Sequence, residues 1–121
     1  SLQRGEGSEQ LAEQQARMRI VDLPPTIDGE RGAFIDTASV MECLDLVVTT
    51  DTAIAHLSGA MGKPTWVATS HVPEWRWQRH GESSPWYPSV RLFRQRQFGD
   101  WAEVFSRMAR ELVMLAETPR G

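Results

Sequence analysis

Leu46-Val47-Val48 is a short, continuous apolar run that ends at Thr49-Thr50-Asp51. A run without polar alternation is what a strand covered on both faces looks like. A second run of this kind, Thr65-Trp66-Val67-Ala68, follows a segment that reads as a helix over 52–61. In that segment Ile54, Leu57 and Met61 stand at helical spacing and Gly62 is a stop. The link between the two runs is too short for anything but a crossover helix, so the strands are expected to be parallel.

The rest of the chain extends the alternation. Ser8 can cap a helix over 9–17, and Met18-Arg19-Ile20-Val21 reads as a strand stopped by Leu23-Pro24-Pro25. Residues 24–33 carry Pro, Asp and Gly and read as a loop. Asp36 or Thr37 can cap a helix running to Leu44, with Val40, Met41 and Leu44 on one face. Val90-Arg91-Leu92-Phe93 reads as a last strand. After Gly99-Asp100 a closing helix carries Trp101, Val104, Phe105, Met108, Leu112 and Leu115 in one stripe and is expected, over 101–116, to pack on the sheet through Trp101, Phe105, Met108 and Leu112. Asp100 with Glu103 three positions later has the form of a capping box. Glu103, Arg107, Arg110 and Glu111 read as a solvated face with i,i+4 pairs. Strands near 18–21, 46–49, 65–68 and 90–93 are thus expected side by side in one parallel sheet. That is an α/β, three-layer α/β/α fold with helices on both faces.

Composition narrows the function classes. With 121 residues the chain is one domain in size, and a formal charge of −3 argues against a general nucleic-acid binder. No apolar run approaches the roughly 20 residues needed to span a bilayer. A single cysteine, Cys43, excludes an internal disulfide and any cysteine-based structural zinc site. Cys43 lies on an apolar helical segment without a basic neighbour in sequence, so a buried, inert thiol is expected. The cytoplasm is the expected location. His56, His71 and His80 show no ligand-pair spacing, so no metal is expected. There is no glycine-rich phosphate loop of the ATPase or dinucleotide type. The start at Ser1-Leu2-Gln3 has neither an initiator Met nor a signal-peptide pattern and reads as part of a longer protein.

In an open parallel sheet, ligands bind beyond the carboxyl ends of the strands, where helix N-termini present amide N–H groups. Thr50-Asp51-Thr52-Ala53 stands at such a place, and His56 lies one helical turn further on the same face. Amides, a hydroxyl and an imidazole together suit an anionic phosphate. A plainer account has Asp51 or Thr50 simply capping the helix and His56 as a satisfied histidine at its edge.

The run Asp51-Thr52-Ala53-Ile54-Ala55-His56-Leu57-Ser58-Gly59-Ala60-Met61-Gly62-Lys63-Pro64 resembles the D-T-[AG]-x-x-H-L-x-x-A-x-G-K-P signature of the heptosyltransferase family of glycosyltransferases. Val72-Pro73-Glu74-Trp75-Arg76-Trp77 and the stretch from Ser84 to Gln95 resemble a bacterial subgroup in which tetratricopeptide repeats precede the transferase-like region. The resemblance implies one half of a GT-B architecture, with 1–121 a Rossmann-like, nucleotide-sugar-binding domain. In it 1–17 would be an incomplete first unit and 101–117 the closing helix. It also implies that Asp51, Thr52 and Ala53 line the phosphates and sugar of a nucleoside-diphosphate donor, with Thr50 beside them, and that His56 contacts a phosphate. Gln3 and Arg4 are further candidates at the diphosphate. Ala53 stands where many members carry Gly, and Arg4 where they carry a phosphate-clamping Lys. The family's base is a carboxylate of the N-terminal domain, so no catalytic residue is expected here. The donor sugar is a substrate, and no cofactor is implied. The expected partners are a second Rossmann-like domain and upstream tetratricopeptide repeats. By itself the chain is expected to be inactive and, with its cleft face uncovered, to self-associate. The alternatives are a non-catalytic scaffold with a degenerate transferase fold, or a relative akin to sugar-nucleotide epimerases.

Trp75, Trp77, Trp86 and Tyr87 lie close together in sequence beside Arg76, Arg79 and His80. Trp75, Arg76 and Trp77 could form a lid over the cleft, an aromatic ring stacking on base or sugar with Arg toward phosphate. The bland alternative is an apolar cluster pinning a long loop to the sheet edge.

Overall fold

A computed structural model describes residues 1–2, 10–21, 23, 34–71 and 81–117. The chain divides into two compact units, 1–40 and 41–121. In the first, α1 covers Gln10–Gln15. Residues 18–21 form no strand, contrary to the expectation from their apolar character. Met18 and Val21 are both more than half exposed, so the segment lacks the burial on both faces that its apolar run led one to expect. Helix α2, Ile35–Glu42, starts earlier than expected, with Asp36 inside its first turn rather than capping it. The Phe34 carbonyl instead accepts from the Ala38 amide at 2.8 Å. Cys43, just beyond α2, is exposed and not buried, and it forms no disulfide. It falls past the last helical turn, outside the apolar face that Met41 buries.

The second unit carries β1 (Val47–Thr50), α3 (Ala53–Ala60), β2 (Thr65–Thr69), β3 (Val90–Arg94) and α4 (Trp101–Glu117). The strands form one parallel sheet in the order β1-β2-β3. Val47 pairs with Thr65 and Thr50 with Ala68, while Thr65 pairs with Val90 and Thr69 with Arg94. Alternation along this register sends Val67, Val90 and Leu92 to one face, where they pack with Ala55 of α3. Trp66, Ala68 and Phe93 go to the opposite face and pack with Val104 and Met108 of α4. One helix lies on each side, giving a small α/β, Rossmann-like fold around three parallel strands.

Two helices bury faces other than those with the most apolar residues. In α3 the buried residues are Ala55, Ser58 and Gly59, while Ile54 and Leu57 are half-buried. Small side chains bring the helix close to the sheet, and the Ser58 hydroxyl shares a hydrogen bond with Thr65 of β2 in the seam. The helix ends as expected at Gly62, whose φ of +74° suits a residue without Cβ. In α4 only Val104 and Met108 are buried, whereas Trp101, Phe105, Leu112 and Leu115 are exposed. The stripe therefore does not all face the sheet. Val48, whose side of β1 faces the α4 layer, is also half exposed.

Charged side chains bind the other flank of α4 to β3. Arg91 pairs with Glu82 at 3.3 Å and with Glu111 at 3.2 Å, and lies 4.6 Å from the Phe93 ring centroid. These bonds, chiefly that to Glu111, raise the Arg91 pKa against the lowering effect of burial. Arg107 donates to the Arg94 carbonyl and, at 2.9 Å, to Glu103. This flank is a bracket between helix and strand and not merely a solvated face.

Candidate functional site

β1 ends at Thr50 and α3 begins at Ala53, so Thr50, Asp51, Thr52 and Ala53 form an exposed turn at the carboxyl edge of the sheet. Thr52 is the N-cap, with extended backbone (φ −140°, ψ 174°), and its carbonyl accepts from the Ala55 amide at 3.0 Å. The Thr52 side chain makes no capping hydrogen bond to the helix. The Thr52 hydroxyl instead lies 3.2 Å from that of Thr49 and 3.4 Å from the Thr50 carbonyl. The N-cap position falls on Thr52 rather than on Asp51 or Thr50. The positive end of the α3 dipole opens onto an exposed turn of hydroxyls and backbone amides.

His56 stands one turn into α3 and is half-buried. Its Nε2 is 3.9 Å from Oδ1 of Asp51. Its Nδ1 is 3.3 Å from the Tyr87 hydroxyl, and the two rings meet edge-on, with centroids 5.8 Å apart and planes at 63°. Tyr87 was expected as part of a loop cluster, and its ring does pack on Ala55, Val67, Val90 and Leu92. Its bond to His56 joins residues 31 apart and escaped local spacing altogether. The available signal was Gly59, because a glycine inside a helix weakens it and often marks a close approach.

The rest of the carboxyl edge is held by Gln95. Its side-chain oxygen accepts from the amides of His71 and Gly99, each at 3.1 Å, and its own amide donates to the Thr69 carbonyl at 3.0 Å. Gln95 is 4% exposed, so one buried amide group ties the loop after β2 to the loop before α4. Nearby in β2, the Thr69 hydroxyl is buried without a hydrogen-bond partner among the described residues.

Of the sequence-expected site, Thr50, Asp51, Thr52, Ala53 and His56 are thus brought together. Gln3, Arg4, Trp75, Arg76 and Trp77 lie outside the described residues, as do Arg79 and His80. Trp86 is 60% exposed, and its amide donates to the Ser84 hydroxyl at 3.2 Å. Among the described residues no group of three or more His, Cys, Asp or Glu side chains is placed to hold a metal ion. None of their helices is long and apolar enough to cross a membrane. Chemically, the turn offers donors in its amides, the Thr52 hydroxyl and His56, beside an acceptor in Asp51.

The chain is similar to the protein FlbA of Caulobacter vibrioides, with 32% identity over 113 residues. The match takes in 93% of this chain and 18% of FlbA, so the chain spans less than a fifth of the length of this curated relative. No family model matches the chain, and no solved structure does.

Proposed function

We propose that this chain is the nucleotide-sugar-binding domain of a heptosyltransferase-like GT-B glycosyltransferase, which works in the cytoplasm with a second Rossmann-like domain and upstream tetratricopeptide repeats. The observation that carries the reading is the turn from Thr50 to His56. The residues of the family-like run fall where a parallel strand gives way to a helix whose N-cap residue, Thr52, makes no side-chain capping bond.

In the reaction, an acceptor hydroxyl attacks the anomeric carbon of the sugar. The bond from that carbon to the phosphate oxygen breaks, and the diphosphate leaves with the electron pair. A base on the second domain takes the acceptor's proton. This chain's part is electrostatic: the α3 amides, the Thr52 hydroxyl and His56 donate to the oxygens on which charge develops. Asp51, acceptor-only when ionised, suits the hydroxyls of the sugar rather than the phosphate.

The test is an NMR titration of the labelled chain with UDP, ADP and GDP. Amides of Asp51, Thr52 and Ala53 should shift, and those of α4 should not. His56→Ala should weaken binding by about 1–3 kcal/mol, the range for a hydrogen bond to a charged group, and leave the fold intact. Unmoved 50–56 amides at millimolar nucleotide would reject the donor site and leave the scaffold reading in its place.

A further inference from the structure

We infer that Tyr87 is a positioning residue for His56: its hydroxyl donates to Nδ1 and thereby fixes the imidazole with its proton on Nε2, on the Asp51 side. The inference rests on the proposed phosphate site for its purpose, but its geometry needs no ligand.

Tyr87 is itself firmly held. Its ring lies against Gly59, where an added Cβ would come within 2.6 Å of Cγ, and it packs on the cluster of Ala55, Val67, Val90 and Leu92. Its carbonyl accepts from the Val90 amide at 3.1 Å, which anchors the backbone at the start of β3. The hydroxyl is therefore carried by a ring wedged between α3 and the sheet, and it reaches Nδ1 at 3.3 Å.

The direction of the bond follows from the other ring nitrogen. Nε2 faces the Asp51 carboxylate at 3.9 Å, and an ionised carboxylate can only accept. The proton of the neutral imidazole is thus favoured on Nε2, which leaves Nδ1 bare. A phenol can donate or accept, and beside a bare Nδ1 it donates. The resulting chain of Tyr87 to His56 to Asp51 aims an N–H at the turn where a phosphate oxygen would sit. Tyr87 touches neither the turn nor the ligand in this scheme, and its effect passes through the imidazole.

The test uses the full chain with labelled histidine and reads the ring nitrogens of His56 by long-range proton–nitrogen correlation, at a pH where the ring is neutral. Only three histidines are present, so His56→Gln assigns the signal. Wild type should show the Nε2–H tautomer, with Nδ1 as a hydrogen-bonded acceptor. In Tyr87→Phe, which keeps the ring under Gly59, Nδ1 should move toward the position of a free acceptor while the amides of β2 and β3 stay put. Tyr87 is the only tyrosine, so replacing it with 3-fluorotyrosine changes one hydroxyl. This stronger donor should move Nδ1 the opposite way, and it serves even if the Phe variant fails to fold. UDP should bind about three- to tenfold more weakly to Tyr87→Phe. An Nδ1–H tautomer in wild type, or ring signals unmoved by both replacements, would overturn the inference. If the ring signals move as stated but UDP binds neither protein, the positioning role stands and the phosphate-site reading fails.

Discussion

The ring of Tyr87 lies so close to Gly59 that a methyl group on that glycine would meet Cγ at 2.6 Å and both Cδ atoms at 2.9 Å. Alanine would favour the helix by about 1 kcal/mol through backbone entropy. Against this, overpacking a well-filled site typically costs about 1–3 kcal/mol, and the neighbour is a ring wedged in the core rather than a flexible chain end. Gly59→Ala should therefore lower stability by roughly 1 kcal/mol net. A denaturant midpoint that rises would show that the ring can move aside.

The faces of α4 should differ sharply in mutational cost. Val104 and Met108 are the buried residues of the helix, on the cluster with Trp66, Ala68 and Phe93. Val104→Ala and Met108→Ala should each cost about 1–4 kcal/mol in urea unfolding. Phe105→Ser and Leu112→Ser, on the exposed flank, should cost under about 1 kcal/mol. Equal losses on both flanks would contradict the packing described.

Gln95 makes a test of the carboxyl edge. Gln95→Leu keeps most of the side-chain volume but removes the oxygen that accepts from His71 and Gly99. A loss of about 1–2 kcal/mol is expected. Amide exchange should quicken at His71 and Gly99 and stay unchanged in α3. Uniform acceleration would mean that Gln95 supports the whole unit instead of two loops.

Acid should loosen the start of α4. The hydrogen bond from Arg107 holds the Glu103 carboxyl below the usual glutamate range; desolvation opposes it, and the charges of Arg107, Arg96 and Arg110 add smaller lowering effects. A folded pKa below the unfolded one gives stability that is present above the unfolded value and lost as pH falls through the folded one. The loss should appear on acidification below roughly pH 4. Glu103→Gln should flatten that part of the curve in thermal melts taken across the acid range. A slope identical to wild type would show that the pair contributes nothing.

The three strands were legible from short, mainly apolar runs, although Arg91 interrupts the third and β1, which reads as covered on both faces, leaves Val48 and Thr50 exposed. Met18-Arg19-Ile20-Val21 has a similar look, yet Met18 and Val21 are exposed, and local composition does not report whether a run is covered. The fully buried face of α3 is not legible from apolar spacing. Hydrophobicity favours Ile54, Leu57 and Met61, but close approach to the sheet selects the small residues Ala55, Ser58 and Gly59, with Ser58 satisfied by Thr65. The exposed turn from Thr50 to Ala53 was legible from its place between an apolar run and a helix. The Tyr87 contact depends on how the segment before β3 returns to α3, which no local spacing encodes.

The order β1-β2-β3 also has a kinetic side. β1, α3 and β2 are consecutive in the chain, with a helix formed inside the link that joins the two strands, whereas β3 closes a somewhat longer stretch to reach β2. Loop-closure entropy therefore favours the turn and α3 forming early, with Tyr87 arriving alongside β3 to seat the imidazole last. Gly59→Ala should accordingly act mainly by speeding unfolding and leave the refolding rate nearly untouched, a split that stopped-flow measurements of both limbs would read. On this view the phosphate-facing turn is an early product of folding, and the orientation of its histidine is a late one.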